Sequence, residues 1–385
     1  MSITAPMGFR AAGIAAGIKA GAGPDLALVV NEGPSQVAAG VFTRNQVKAA
    51  PVLWSAQVLT GSRLRAVVLN SGGANACTGP GGFQDTHAIA ERVAKVLACG
   101  AIEVAVCSTG LIGERLPLDA VLAGVDTAAA ALAATPEAGL AAATAVLTTD
   151  TVPKQAVTTG AGWTVGGFAK GAGMIAPSLA TMLCVLSTDA LVDESILDEV
   201  LRAATTATFE RLDIDGSCST NDTVLLLASG ASGVTPDPGQ FAAAVRQVCH
   251  ELVRGLQADA EGVSKEISIT VRGASTDADA LGAARAVARD NLVKTALFGS
   301  DPNWGRIAAA VGASPATVRA AALDIQINGV LLCRGGAAAV DRSKADLSGR
   351  EITVEIDLNL GQGETTVLTT DLSYAYVEEN SAYSS

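Results

Sequence analysis

The sequence predicts an α+β fold built from layers of helix and sheet. Segments typical of strands and helices alternate along the whole chain, but without the regular strand–helix–strand order of a parallel sheet, which favours a layered α+β fold over a doubly wound one. The chain has 385 residues, of which 49 % are hydrophobic and 17 % charged, so it can bury a large core. A Pro- or Ser-rich linker between independent domains does not occur in the sequence.

Apolar spacing predicts the individual elements. The predicted strands are 25–31, 36–43, 65–70, 103–107, a broken pair at 155–168, 181–188, 223–227, 266–271, 325–333 and 352–360. The predicted helices are 84–98, 118–134, 137–146, 193–212, a helix starting at 237, and 277–298. Asp237, Pro238 and Gln240 have the order of a capping box with proline at the first helical position.

The charge and hydropathy patterns exclude two classes of partner. The net charge is −12 and no long basic run occurs, so neither nucleic acid nor an anionic membrane surface is expected as the main partner. No apolar run reaches 18 residues, so a membrane-spanning helix is not expected. Residues 1–21 lack the order of a signal peptide and are interpreted as mature protein. These features leave room for a local cationic pocket that binds a small anionic substrate.

The cysteines and histidines offer few parts for common catalytic sites. The seven cysteines are odd in number and show no CxxC spacing, so we expect reduced, mostly buried thiols in the cytoplasm, without a disulfide framework, a zinc site or another metal. His87 and His250 are the two histidines, and both lie in predicted helices. The motifs GxSxG, HExxH and GxxxxGK[ST] do not occur, so a Ser–His–Asp site and a nucleotide cradle are not expected.

The most informative segment runs from Lys170 to Met182. Small residues lead into Ala180, and Thr181 then opens an apolar strand. Cleavage of the Ala180–Thr181 bond would give Thr181 a free amine with a pKa of roughly 7.7–8.0. Such an amine can serve as the base for its own hydroxyl, which is otherwise a poor nucleophile. The segment therefore predicts self-cleavage that uncovers a catalytic threonine.

Three other features have both a structural and a functional interpretation, and a fourth, the tail, has a structural one. The turn at Ser108–Gly110 follows a strand and could form an oxyanion hole, although such turns are common. Lys170 is either a solvated loop lysine or a cation for a substrate carboxylate. Glu261 is either an ordinary residue at the end of a helix or the partner of a substrate ammonium. Residues 376–385 resemble a frayed polar tail.

Longer motifs resemble one family over essentially the whole chain. The matching stretches are NSGGANACTG (70–79), VCSTGLIGERLP (106–117), TTDTVPK (148–154), GGFAKGAGMIAPSLATMLCVLSTDA (166–190), DIDGSCSTNDT (213–223), DAEGVSK (259–265), KTALFGSDPNWGRI (294–307) and YVEENSAYSS (376–385). With these motifs, the chain resembles the ornithine acetyltransferases, the bifunctional glutamate N-acetyltransferases of arginine biosynthesis.

The resemblance implies an N-terminal-nucleophile-like layered fold that is self-cleaved into two intertwined chains. An α chain, residues 1–180, would carry the oxyanion hole and part of the substrate site. A β chain, residues 181–385, would begin with Thr181 and return its C-terminal tail to the active site. Two copies of each chain would form a cytoplasmic α2β2 heterotetramer. The family moves an acetyl group from N2-acetyl-L-ornithine to L-glutamate, and some members also use acetyl-CoA as the donor.

The resemblance also implies a role for each matched residue, and no cofactor. Thr181 would be the nucleophile, and Thr109 and Gly110 would form the oxyanion hole. The substrate would contact Thr148, Lys170, Thr181, Glu261, Asn380 and Ser385. Relatives often end in threonine where this chain ends in Ser385, which keeps the hydroxyl. Two alternatives remain open: an N-terminal-nucleophile amidohydrolase or aminopeptidase, and an uncleaved protein that binds amino acids without catalysis.

Overall fold

A computed structural model describes residues 3–21, 23–176 and 182–382. Its strands are β1 (Phe9–Ile14), β2 (Leu26–Asn31), β3 (Val37–Phe42), β4 (Ala66–Asn70), β5 (Val104–Ser108), β6 (Lys154–Thr159), β7 (Thr164–Lys170), β8 (Leu183–Thr188), β9 (Thr223–Ala228), β10 (Glu266–Ala274), β11 (Asp324–Ile327), β12 (Val330–Arg334), β13 (Ala337–Ala338), β14 (Glu351–Asp357) and β15 (Gly363–Thr370). Its helices are α1 (Ala50–Val58), α2 (Gly79–Leu97), α3 (Leu118–Ala130), α4 (Pro136–Ala145), α5 (Glu194–Ala207), α6 (Pro238–Ala258), α7 (Asp277–Arg289), α8 (Asn291–Phe298), α9 (Trp304–Gly312) and α10 (Tyr374–Ala382).

The described residues divide into two compact units. The first unit draws its residues from 1–210 and 218–256, and the second from 211–217 and 257–384. These boundaries differ from the predicted division at 180/181, which was defined by a cleaved bond and not by packing. Among the described helices, none is both long and apolar enough to cross a bilayer.

The first unit contains two sheets that share a core. One sheet has the order β1-β2-β4-β5, and the other has the order β3-β9-β8-β7-β6. β4 pairs with β5 and β8 with β9 in parallel, while the other neighbours in both sheets are antiparallel. Every residue of β8 and β9 is buried, which explains their nearly continuous apolar sequences. Side chains such as Leu69 and Leu225 join both sheets to one apolar cluster.

Strand β7 and strand β8 lie side by side although the predicted cleavage bond separates them in sequence. They pair antiparallel from Val165 opposite Thr188 to Lys170 opposite Leu183. The predicted α chain would therefore supply β3, β6 and β7 to this sheet, and the predicted β chain would supply β8 and β9. Pieces produced by such a cut would share backbone hydrogen bonds within one sheet.

The second unit is built on one mixed sheet with the order β13-β12-β11-β14-β10-β15. Along β10, Ile267, Ile269 and Val271 are buried and alternate with partly exposed residues, so one face of the strand points into a core. Buried side chains from α7 and α9, including Val287 and Ile307, belong to the same apolar cluster. The sheet face is therefore covered by helices.

The structure confirms the mixed helix–sheet architecture and corrects three of the predicted elements. The predicted helix 277–298 breaks at Asp290, whose backbone leaves the helical region and whose carboxylate caps α8 by accepting from the Val293 N–H. The predicted strand 325–333 is the hairpin β11–β12, with positive φ at Asn328 and Gly329 in its turn. The tail is helical up to residue 382, where fraying was one interpretation.

Candidate active site

The turn after β5 places Thr109 and Gly110 against the neighbouring strand. β5 pairs in parallel with β4, and the Thr109 N–H continues this contact by donating to the Asn70 carbonyl at 3.0 Å. Gly110 has a φ of 127°, and a Cβ at this position would lie 2.6 Å from the backbone nitrogen of Gly73. Glycine is therefore required both for the backbone conformation and for the close approach.

Lys170, the last residue of β7, contacts two other predicted site residues and one neighbouring carboxylate. Its side chain is buried, with 1 % of its surface exposed. Its Nζ donates to the Thr148 hydroxyl at 2.7 Å and to the Thr109 hydroxyl at 3.3 Å, and lies 3.6 Å from an Asp150 carboxylate oxygen. Thr109, Thr148 and Lys170, which are distant in sequence, therefore converge on one ammonium group. The interpretation of Lys170 as a solvated loop lysine is wrong.

Asp150 is the hub of this cluster. Its Oδ1 accepts from the Gly171 N–H at 2.6 Å and from Lys154 Nζ at 2.5 Å, and its Oδ2 accepts from the Thr148 N–H at 3.2 Å. Burial alone would raise the pKa of Asp150, but the charges of Lys170 and Lys154 and these hydrogen bonds outweigh burial and lower the pKa to about 2. The ionised carboxylate is therefore held by two cationic side chains and two backbone N–H groups.

The second unit brings Glu261 and Asn380 together. Asn380 Nδ2 donates to Glu261 Oε2 at 2.9 Å and to the Tyr376 carbonyl at 3.0 Å. The tail helix α10 is anchored beside Gly262, whose carbonyl accepts from the Ser373 hydroxyl at 2.5 Å. A Cβ on Gly262, which has a φ of 60°, would lie 2.1 Å from the Tyr376 nitrogen. The glycine after Glu261 therefore permits the close approach of the tail.

Three predicted residues, Ala180, Thr181 and Ser385, lie outside the described residues. The nearest described neighbour of Thr181 on its C-terminal side is Met182, whose backbone N–H donates to Asp222 Oδ1 at 3.2 Å. The described cysteines are all free thiols, and four of them, Cys107, Cys184, Cys249 and Cys333, are buried.

Comparison with known proteins identifies the family. The sequence profile described as the ArgJ family matches residues 10–385. The chain belongs to the ArgJ family. This match confirms the resemblance that the motifs predict.

Relatives of the ArgJ chain align with it along its whole length. A protein from Mycolicibacterium paratuberculosis is 64 % identical over 100 % of this chain and 96 % of its own, and one from Mycobacterium tuberculosis is 61 % identical with the same coverage. Both are named arginine biosynthesis bifunctional protein ArgJ. A solved chain of ornithine acetyltransferase from M. tuberculosis, in complex with ornithine, is 66 % identical and covers 46 % of this chain and 95 % of its own, with a TM-score of 0.46.

Sequence reasoning missed three charged residues of this ArgJ chain. Asp150 and Lys154 lie within the motif 148–154, and Asp222 lies within 213–223, but none was assigned a role. The available signal was the presence of charged residues in motifs that also contain several threonine or serine residues. Buried charges of this kind need partners, so their presence predicts a polar cluster without saying where it lies.

Proposed function

We propose that the protein is a glutamate N-acetyltransferase. It transfers the acetyl group of N2-acetyl-L-ornithine to L-glutamate through an acetyl-enzyme intermediate on Thr181, after self-cleavage at Ala180–Thr181. The observation that carries the proposal is the convergence of Thr109 and Thr148 on the buried ammonium of Lys170 in a chain of the ArgJ family.

The charge of the Lys170 cluster supports recognition of a carboxylate. Acetylornithine and glutamate both carry an α-carboxylate, and Lys170 places a buried ammonium group beside the hydroxyls of Thr109 and Thr148. The Thr148 hydroxyl already accepts from Lys170, so its own proton can be donated to the same substrate oxygen. One pocket would thus serve both substrates in turn.

The turn after β5 supports stabilisation of an oxyanion. The Thr109 N–H is used by the Asn70 carbonyl, so the donors that this turn can supply are the Thr109 hydroxyl and the Gly110 N–H. The hydroxyl accepts from Lys170, which leaves its proton directed elsewhere. An oxyanion develops in both half-reactions, and one preorganised pair of donors serves both.

The proposed reaction proceeds in two balanced steps. First, Thr181 Oγ attacks the acetyl carbonyl, its proton passes through the free α-amine to the amide nitrogen, the C–N bond breaks, and ornithine leaves with a neutral α-amine. Second, the neutral amine of glutamate attacks the ester carbonyl, the C–O bond breaks, and Thr181 Oγ regains a proton. Because ornithine leaves before glutamate reacts, ping-pong kinetics are expected.

The pairing of β7 with β8 supports a cleaved protein that stays assembled. The two proposed pieces contribute neighbouring strands to a five-stranded sheet whose β8 and β9 are fully buried. Separation would expose these strands, so the pieces should remain together. The cytoplasmic α2β2 assembly, the absence of a cofactor and the substrate contacts of Glu261, Asn380 and Ser385 belong to the same proposal.

Use of acetyl-CoA as a second donor is proposed from the name of the relatives, which describes them as bifunctional. Formation of acetylglutamate from acetyl-CoA and glutamate, without acetylornithine, would support it. An enzyme restricted to the transfer reaction would form acetylglutamate only when acetylornithine is supplied.

The deciding experiment combines denatured intact mass with an acetyl-transfer assay. We expect two species that match residues 1–180 and 181–385, and acetylglutamate that forms only when glutamate is present. The variant Thr181→Ala should give one full-length species without transfer activity. A hydrolase would release acetate at the same rate with or without glutamate, and transfer by an uncleaved Thr181→Ala protein would refute the proposed nucleophile.

A further inference from the structure

We propose that the consecutive side chains of Asn221 and Asp222 are positioning residues that hold the Thr109 turn and the strand after Thr181 in register. This inference rests on the proposed function, because it assigns the two residues a task in self-cleavage and acetyl transfer. They lie just before β9, and both are buried, with 3 % and 0 % of their surface exposed.

Asn221 fixes the peptide that leads into the proposed oxyanion turn. Its Nδ2 donates to the Ser108 carbonyl at 2.8 Å and to the Ala74 carbonyl at 2.6 Å. The Ser108 carbonyl belongs to the peptide whose N–H is that of Thr109, and this N–H donates to Asn70. Both polar groups of the Ser108–Thr109 peptide are therefore held, and the peptide plane cannot rotate without loss of a buried hydrogen bond.

Asp222 and the residue after it hold Met182 from both sides. Asp222 Oδ1 accepts from the Met182 N–H at 3.2 Å, and the Met182 carbonyl accepts from the Thr223 N–H at 3.1 Å. Met182 is bonded covalently to Thr181, so these two hydrogen bonds anchor the described end of the segment that carries the proposed nucleophile. Residues 221 and 222 are consecutive, so they link the proposed oxyanion turn to the residue that follows the proposed nucleophile.

The two oxygens of the Asp222 carboxyl group differ, because Oδ1 accepts a described hydrogen bond and Oδ2 does not. This oxygen is buried and has no hydrogen-bond partner among the described residues. Burial raises the pKa of Asp222 well above its ordinary value, against the opposing influence of the Met182 N–H, the Ser219 and Thr43 hydroxyls and the charge of Lys170. An asparagine side chain has the same shape and keeps an acceptor oxygen, so Asp222→Asn can preserve the hydrogen bond from the Met182 N–H while it removes the ionisable group. We therefore assign the hold on Met182 to the acceptor at Oδ1.

The chain offers a matched control for each residue at the far end of the same strands. Asn31, also fully buried, donates through Nδ2 to two carbonyls, those of Ser35 and Ala228, the latter at the end of β9. Asp189, which follows β8, accepts from the backbone N–H groups of Met7 and Thr164. Asn31→Ala and Asp189→Ala remove similar buried hydrogen bonds without touching the Thr109 turn or Met182.

The test compares Asn221→Ala, Asp222→Ala and Asp222→Asn with these controls and with the unaltered chain. Self-cleavage is followed by denatured intact mass during cell-free synthesis, transfer is measured as kcat and KM on the cleaved fraction, and thermal unfolding reports folding. We expect Asn221→Ala to lower kcat at least about tenfold while KM changes less than about threefold, because a small displacement of catalytic groups acts on the transition state. We expect Asp222→Ala to slow cleavage at least about tenfold, and Asp222→Asn to cleave within about threefold of the unaltered rate.

Each other result has a definite meaning. If Asn221→Ala and Asp222→Ala match their controls in cleavage and kcat, the positioning role is overturned while the proposed function stands. If Asp222→Asn fails to cleave, the acceptor role is overturned; this variant and Asn221→Ala also carry the test should Asp222→Ala not fold. If the unaltered chain neither cleaves nor transfers acetyl groups, the proposed function itself fails.

Discussion

Two buried charged groups, one in each unit, are stabilised in different ways. In the first unit, the ammonium groups of Lys154 and Lys170 flank the carboxylate of Asp150, and all three side chains are at least 97 % buried. In the second unit, Lys294 is buried mainly among neutral acceptors, the carbonyls of Ile214 and Thr370 and the hydroxyl of Thr369. Burial lowers the pKa of Lys294 to about 8, although Asp213, Asp215 and Asp371 oppose the shift.

This contrast shows what keeps a charge inside a protein. A carboxylate placed directly between two cations stays ionised despite burial, whereas a lysine whose direct partners are dipoles gives up part of its affinity for the proton. The predicted substrate residues of the two units also differ in burial. Thr148 and Lys170 are held by a buried ionic cluster, while Asn380 and Glu261 meet at the surface.

The largest expected effect is on stability, from the substitution Asp150→Asn. The amide keeps the shape of the side chain but leaves two buried ammonium groups without their carboxylate, so the free energy of unfolding should fall by about 3 to 5 kcal/mol. Urea unfolding of the purified variant measures this loss. Asp126→Asn, which breaks the surface pair with Arg92, is the control and should change the midpoint much less. Equal midpoints for the two variants would contradict the role of Asp150 as a hub.

The next effect is on activity, from Lys170→Met. Lys170 donates hydrogen bonds to the hydroxyls of Thr109 and Thr148. Its loss should lower kcat/KM for acetylornithine by roughly 100-fold, which corresponds to about 2.7 kcal/mol. Steady-state kinetics on the cleaved protein measure this change in kcat/KM. Lys265→Met is the control, because this buried lysine donates to the carbonyls of residues 347–349 in the second unit. If both variants lose activity equally, the effect is one of folding and not of substrate binding.

A third effect is the acid sensitivity of the Asp150 cluster. The folded pKa of about 2 lies below the ordinary value of 3.8, so the carboxylate stabilises the fold above about pH 4 and this contribution disappears as the pH falls towards 2. The shift corresponds to about 2 kcal/mol. The stability difference between the unaltered chain and Asp150→Asn should therefore shrink by this amount between pH 5 and pH 2. Urea midpoints that keep a constant gap over this range would show that folding does not lower the pKa of Asp150.

The smallest effect is expected from removal of residues 381–385. The described anchors of the tail helix, from Ser373 to Gly262 and from Asn380 to Glu261, remain in the shortened chain. Cleavage and thermal stability should therefore be unchanged, while KM for both substrates rises several-fold, or about 1 kcal/mol. Michaelis constants within error of the full-length values would remove the tail from the proposed site.

The sequence predicts well those elements whose local pattern agrees with their burial. β8 and β9 are continuous apolar runs and lie within a buried sheet, and the predicted start of α6 is confirmed because the Gln240 N–H donates to Asp237 at 2.9 Å. The helix 277–298 was wrong because its apolar spacing continues past Asp290, where the cap of α8 interrupts the backbone. In 325–333, alternation concealed the Asn328–Gly329 turn, which is itself a hairpin signal.

The site was predicted less completely because its organising contacts are distant in sequence. Family motifs supplied Thr109, Thr148 and Lys170, and the structure brings them together. Nothing local to the motif at 148–154 indicates that Asp150 accepts from the Gly171 N–H, 21 residues further on. In the same way, the contacts of Asn221 with Ser108 and of Asp222 with Met182 cross 113 and 40 residues. Spacing along a motif therefore predicts members of a site better than it predicts the residues that orient them.

If the proposed cut at 180/181 occurs, the pairing of Lys170 with Leu183 at the end of the β7–β8 ladder joins two separate molecules, and this alters the unfolding equilibrium. Before a cut at 180/181, the chain is one molecule and refolding is unimolecular. After the cut, unfolding releases two molecules, and recovery requires them to meet, so the folded fraction depends on protein concentration. Dilution would then oppose refolding of the cleaved protein without any change in its internal contacts, whereas the uncut chain would not have to bring two pieces together.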